Sequence, residues 1–339
     1  MSDAKFSSQV TTFAQAPSME ILPEVIDIGC DVPLNPPEAI QMKFVGLSFE
    51  SAYAEAEAFV KVTDEFAARH GCGGLASLDR IVDFGSGWGR ITRTLLATVP
   101  ATKLHALDVD SQMTALLNTT LPGVNALTIS PQPPTILGDA SVDAVVAFSV
   151  FSHLSGPAHE AWAREIGRVV KPGGFIAFTV LDQEFFGQIA GAQAAVSIGK
   201  ADPFAENLAK TFSDLVAARA GYDAGEIQYA ASGGGEVRTG DYYGWAAAPS
   251  KYVERVWGPA GFKIVEWVPS GVLFPQALVF MVRRPTEGQA SAIAARTAAA
   301  GRKLVSRIKH FVSMRTRVAR RPSVNDVAGP DGAGVGTAE

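Results

Sequence analysis

The stretch IVDFGSGWGR, residues 81–90, sets Gly85, Gly87 and Gly89 at alternate positions directly after an apolar run that ends in an aspartate. Glycine weakens strands and helices alike, so three within five residues mark a turn with unusual dihedrals or a close backbone approach. RIVDF before them reads as a short buried strand and GRITRTLLATV after them as a helix. A strand, a glycine turn and a helix in that order present bare backbone and a helix N-terminus, which together attract anionic groups.

The alternation continues outward from this turn. KLHALDV, VNALTI, VDAVVAFSV and GGFIAFTVL read as strands. SQMTALLNTTL and PAHEAWAREIGRVV read as helices, the first capped by Ser111. Strands rich in Val, Ile and Ala without polar alternation are buried on both faces, as in a parallel sheet. Upstream, residues 48–70 carry a helical pattern with Ser48 as its cap and Gly71 as its stop. Downstream, PSKYVERVWGPAG predicts a helix, and FKIVEWV and QALVFMVRR the last two strands. The expected fold is a doubly wound, mostly parallel, Rossmann-like seven-stranded sheet with helices on both faces. The Ala-rich stretch beginning at residue 183 predicts a helical lid insertion over 183–248, within a domain spanning residues 41–283. Residues 1–40, dotted with proline, form an N-terminal extension expected to run over the surface.

Ligands of open α/β sheets bind beyond the carboxyl ends of the strands, where the strand order reverses. The second strand ends at Asp108, nineteen residues past Gly89, where an acid is placed to accept hydrogen bonds from a ribose diol. An adenosine-containing cofactor follows. The dinucleotide fingerprint needs a third glycine at position 90, which is Arg90 here, and no Tyr-x-x-x-Lys or similar hydride-transfer constellation occurs. The alternatives are an NAD-dependent oxidoreductase and a cofactor-binding partner protein without chemistry of its own. Arg90 and Arg93, one helical turn apart, read as a solvated face rather than as partners of a cofactor carboxylate.

On VDFGSGWGR, ALDVD, SVDAVVAFSVFSHLS and EIGRVVKPGGFIAFTV, over roughly residues 41–283, the chain resembles the class I S-adenosylmethionine-dependent methyltransferases. VFSHL with the KPGG turn is similar to a bacterial subgroup acting on glycans and other small molecules. The resemblance implies S-adenosylmethionine as cofactor, with Asp83 near its amino acid end, Gly85 and Gly87 beneath it, and Asp108 on its ribose hydroxyls. The candidate cofactor set extends to Gly89, Val109, Ser130 and Phe148. Many relatives place an acid or amide after the third strand to hold adenine, whereas this chain reads TISPQPP, with Ser130 as the substitute.

His153 lies just after the fourth strand and has two readings: a general base for a hydroxyl acceptor, or a structural histidine. His105 and His159 read as structural. TGDYYGWAAAPS, residues 239–250, gathers Asp241, Tyr243 and Trp245 as a candidate substrate wall, since aromatic faces beside a carboxylate suit sugars or aromatic substrates. No His/Cys/acid cluster shows metal-ligand spacing.

Composition narrows the partners. Hydrophobic residues make up 47% of the 339 and charged residues 19%, which describes a globular chain with a sizeable core. Two cysteines, Cys30 and Cys72, imply no disulfide framework, and with a polar start lacking a signal region the expected location is cytoplasmic. Residues 283–321 hold eleven Lys/Arg and one acid, whereas the body through residue 282 carries −12 of the net −5. An acidic body argues against a nucleic-acid partner and leaves a small molecule or glycan, with O-methylation as the expected reaction. From Gly301 the basic segment is amphipathic. It suits either peripheral contact with an anionic membrane or docking on the acidic body of this chain or a second copy.

Overall fold

The computed structural model describes residues 35–70, 73–235 and 237–284. Most of the N-terminal extension and the whole basic segment after residue 284, including the amphipathic stretch, lie outside the described residues.

Two helices come first. Helix α1, Glu38–Val45, follows Pro36-Pro37 and ends on Gly46 in the left-handed conformation. Only its first three residues belong to the proline-dotted run of residues 1–40, and the rest begins the domain at residue 41, where no helix is expected before residue 48. Helix α2 spans Phe49–Arg69 and buries Ala52, Ala56, Phe59, Val60, Thr63 and Phe66. Ser48 is at its cap position, but its hydroxyl donates to Glu38 rather than capping the helix.

The series of strands and helices then runs as the pattern predicts. Strand β1 is Ile81–Phe84, α3 Arg90–Leu95, β2 Leu104–Asp108, α4 Ser111–Thr120, β3 Asn125–Thr128 and β4 Val142–Ala147. Helix α5, Gly156–Val169, leads into β5, Val170–Val180. The cap of α4 is Asp110, one residue before the expected Ser111, because its carboxylate accepts the Gln112 N–H at 3.0 Å. Helices α6, Glu184–Ser197, α7, Pro203–Leu208, and α8, Leu215–Asp223, follow. An antiparallel pair of short strands, β6 Gln228–Ala231 and β7 Gly244–Ala247, comes next and had no alternating signal in the sequence. Helix α9, Ser250–Trp257, and strands β8, Phe262–Val268, and β9, Ala277–Arg283, are the last elements of the described residues.

The seven-stranded sheet has the order β3-β2-β1-β4-β5-β9-β8. The first five strands are parallel, and β9 runs antiparallel to both its neighbours. Alternate strand residues feed two separate cores. Val82, Phe84 and Val145 pack with Trp162 of α5 and Trp257 of α9, while Ile81, Ala106 and Val146 pack with Phe59 of α2 and Leu117 of α4. Both faces are thus covered, which is why the strands read as unbroken apolar runs. The order reverses between β1 and β4, and the loops after these two strands open into one crevice.

Candidate functional site

The three glycines after β1 all have positive φ, 73° at Gly85, 52° at Gly87 and 85° at Gly89, but they serve different ends. A Cβ on Gly89 would lie 2.2 Å from Leu117 Cδ2, so this residue lets α3 approach α4. At Gly85 a Cβ would meet Val150 Cγ2 at 2.4 Å, so this one fits the loop against the turn after β4. A Cβ on Gly87 would meet only Phe44 Cδ1, at an ordinary 3.6 Å. Gly87 is therefore the one whose missing side chain leaves room in the crevice.

That crevice is a cavity of about 910 Å³. It is lined by Gly85, Gly87, Asp108, Val109 and Phe148 and also by His153, Tyr243 and Trp245. Four candidates are not among its lining residues. Asp83 is buried behind the loop, where its carboxylate accepts the Thr92 hydroxyl of α3 at 2.6 Å. Burial raises its pKa to about 6. Gly89 packs on Leu117, as above. Ser130 is exposed, its hydroxyl accepts the Gln132 N–H, and Ile129 and Pro131 line the wall instead. Asp241 is exposed and accepts the Thr239 hydroxyl, so the carboxylate expected beside the aromatic wall faces away from it.

Asp108 ties the two ends of the cofactor motif together. One carboxylate oxygen accepts the Gly87 N–H at 2.7 Å and the other the Asp110 N–H at 2.8 Å. Desolvation raises its pKa against these two bonds, which favour the charged form. Beside it, Ser86 Oγ and Trp88 Nε1 are buried in the cavity wall without a hydrogen-bond partner among the described residues. Buried polar atoms rarely go unpaired, but neither atom opens onto the cavity, so the room at Gly87 is what fits a ligand on this loop.

Sequence reasoning missed three features. Arg90 and Arg93 are buried, not solvated. Arg90 pairs with Glu55 of α2 at 2.7 Å and lies over the Phe148 ring, while Arg93 donates to Thr120 at 2.8 Å. Long-range pairing of this kind leaves no local pattern. Arg238, in the connection between β6 and β7, also lines the cavity, lying over Phe44 and 3.4 Å from Asp110. Helix α1 contributes Phe44 and Lys43 to the same wall. Among the described residues no group of three or more His, Cys, Asp or Glu side chains could hold a metal ion.

His153 is held on both ring nitrogens. Nδ1 lies 2.7 Å from the Gly244 carbonyl, which can only accept, so Nδ1 carries the proton and Nε2 keeps its lone pair. Nε2 lies 3.4 Å from Ser149 Oγ, a loose contact. The imidazole stacks on Tyr243 and lies beside Trp245, and burial lowers its pKa to about 4. His159 is structural, as read: it is fully buried, accepts the Trp257 indole N–H at 3.0 Å, and burial lowers its pKa to about 3.

These two imidazoles dictate a pH dependence. A group whose folded pKa is depressed below an unfolded value near 6.5 stabilises the fold fully above that pH, and loses its contribution as pH falls toward the folded value. Asp83, raised to about 6, and Asp108, also raised by burial, act in the opposite sense, whereas His70 and His105, lowered by burial, act with the two buried rings. Thermal stability is expected to fall as pH drops from 7 to 4. Each histidine contributes a slope of at most about 1.4 kcal/mol per pH unit. Melting curves across that range check this, and a flat profile would contradict neutral burial of both rings.

The model of a family described as a methyltransferase domain matches residues 81–174, from β1 into β5. Over 122 residues the chain is 30% identical to a malonyl-[acyl-carrier protein] O-methyltransferase of Methylococcus capsulatus. That match covers 34% of this chain and 42% of the relative, so it spans less than half the relative's length. Among solved structures, an S-adenosylmethionine-dependent methyltransferase of Clostridium acetobutylicum is similar, with a TM-score of 0.45 and 14% identity over 73% of this chain and 97% of that one. A 1,6-didemethyltoxoflavin-N1-methyltransferase of Burkholderia thailandensis, with S-adenosylhomocysteine bound, gives a TM-score of 0.41 and 16% identity, covering 76% and 94%.

Proposed function

We propose that this chain, whose residues 81–174 are a class I S-adenosylmethionine-dependent methyltransferase domain, methylates an oxygen of a small molecule. The observation that carries this is the single cavity joining the glycine loop and Asp108 to the unprotonated Nε2 of His153. Bound S-adenosylmethionine supplies an electrophilic methyl group, whose bond to sulfur breaks with the electron pair left on a neutral thioether.

The chain's own part is holding, alignment and proton removal. The backbone of Gly85 and Gly87 cradles the amino acid portion. Asp108 takes the ribose hydroxyls, and Val109 and Phe148 line the flanks. Asp83 acts from behind the loop, through Thr92 and α3, rather than by contact. His153 accepts the acceptor's proton. Residues 183–248 cover the acceptor end with Tyr243 and Trp245. The acidic body disfavours nucleic acid, and the two cysteines suit the cytoplasm.

Asp108→Ala should weaken S-adenosylmethionine binding by about 1–3 kcal/mol, the cost of leaving buried polar partners unpaired. Calorimetric titration measures it, and unchanged affinity would remove Asp108 from the site. The function itself is tested by S-adenosylhomocysteine release against hydroxyl, amine and thiol acceptors. Turnover confined to amines or thiols would overturn oxygen as the target.

A further inference from the structure

The charged and the aromatic side chains of the cavity are grouped by element, with Arg238 close enough to act on both His153 and Tyr243. Among its described lining residues the charged side chains, Lys43, Glu55, Arg90, Asp108 and Arg238, all come from or lie against α1, α2, the glycine loop and the β2 end. The end around His153 is built differently. Phe185 of α6 lies 5.5 Å from Trp245, which lies 5.1 Å from the His153 ring, which in turn stacks on Tyr243 at 4.8 Å and 11°. Leu181 packs in the same cluster as Phe185 and Trp245. Phe204 of α7, 63% exposed, lines the cavity as well, so an apolar surface continues to its mouth.

The polar groups at this end are neutral, and their roles are fixed by their bonding. Thr179 Oγ1 accepts the Ser149 N–H at 2.7 Å, so its own proton goes to Gln276 Oε1 at 2.7 Å. The Gln276 amide is thereby oriented with its N–H donating to Ser149 Oγ at 2.8 Å. The Ser149 hydroxyl proton is left for His153 Nε2 or Ser152 Oγ, at 3.4 and 3.5 Å. Ser149 has φ of 60°, a backbone state that a non-glycine residue seldom adopts, and this ring of three bonds holds it there. The product is one well-placed acceptor, Nε2, in an aromatic slot.

Such a slot suits one kind of molecule. A sugar presents hydroxyls on every edge and would leave several of them unpaired against Phe185, Leu181 and Trp245. The carboxylate that would answer them, Asp241, faces away. Arg238 acts on His153 and Tyr243 from the glycine-loop side, but an ionised group set against Trp245, Phe185 and Leu181 would lie on apolar surface, which is costly. A flat aromatic ring satisfies the walls by offset or edge contact. We infer that the acceptor is an uncharged, planar aromatic molecule with a phenolic hydroxyl, its ring against the wall that Trp245 and Phe185 form and its hydroxyl donating to His153 Nε2. As the phenol oxygen takes the methyl group, its O–H bond breaks and the proton moves to Nε2. This rests on the methyltransferase reading and narrows its acceptor.

The test uses the full chain saturated with S-adenosylhomocysteine, titrated with 2-naphthol, 2-naphthoate and methyl β-glucoside. The expected result is saturable binding of 2-naphthol, at least tenfold tighter than 2-naphthoate, with none of the glucoside. Trp245→Leu should weaken 2-naphthol at least tenfold and leave S-adenosylhomocysteine affinity unchanged. Phe204→Ser, on an exposed residue, should weaken it severalfold without touching the core. Absent naphthol binding, equal binding of the naphthoate or the glucoside, or indifference to both substitutions in folded protein would overturn the inference. Failure of S-adenosylhomocysteine itself to bind would instead remove the reading on which it stands.

Discussion

Replacing His153 by alanine is expected to lower turnover by about 10²–10⁴-fold with S-adenosylmethionine affinity intact, the usual contribution of a positioned general base. The geometry favours a large effect, because Nε2 carries a lone pair and the Gly244 carbonyl holds the tautomer. Burial lowers the pKa to about 4, so the ring is neutral and able to accept a proton throughout the physiological range. The acid limb of kcat/KM, which reports the free enzyme, should therefore extend well below pH 6.5. A loss of only a few fold would contradict the role. So would a collapse in thermal stability, since the ring would then be structural like His159.

Gly87→Val is expected to abolish S-adenosylmethionine binding while the protein still folds. The substituted Cβ meets no backbone, and its nearest neighbour is Phe44 at 3.6 Å, so the added methyl groups project into the cavity. A left-handed φ of 52° costs a branched residue about 1–2 kcal/mol, small against the stability of a domain. The neighbouring glycines provide the control. Side chains at Gly85 or Gly89 would drive into Val150 or Leu117 and damage packing rather than binding. Near-normal affinity in the valine variant, with unchanged circular dichroism, would contradict a ligand on this loop.

The sheet was legible because its strands are covered on both faces, which leaves runs such as RIVDF and VDAVVAF. Local signals also carried the glycine loop and Asp108, since a strand end followed by a glycine turn occupies only a few residues. What escaped depends on which way a side chain points or on distant partners. Asp83 looked like a ligand-facing acid, but at its position in the strand it faces α3 and Thr92. Asp241 stands two residues from Tyr243, yet only the tyrosine reaches the cavity. The burial of Arg90 depends on Glu55, thirty-five residues away, which no periodicity reports. Arg238 was missed because it lies in a glycine-rich connection without pattern, and it enters the wall only where the chain folds back over β2.

The central claim is that the crevice above β1 and β4 binds S-adenosylmethionine. Calorimetric titration of the full chain with S-adenosylmethionine and, separately, with NAD tests it most directly. The account predicts saturable one-to-one binding of S-adenosylmethionine, lost in Gly87→Val, and no heat with NAD. Binding of NAD in its place, or of neither, would contradict it.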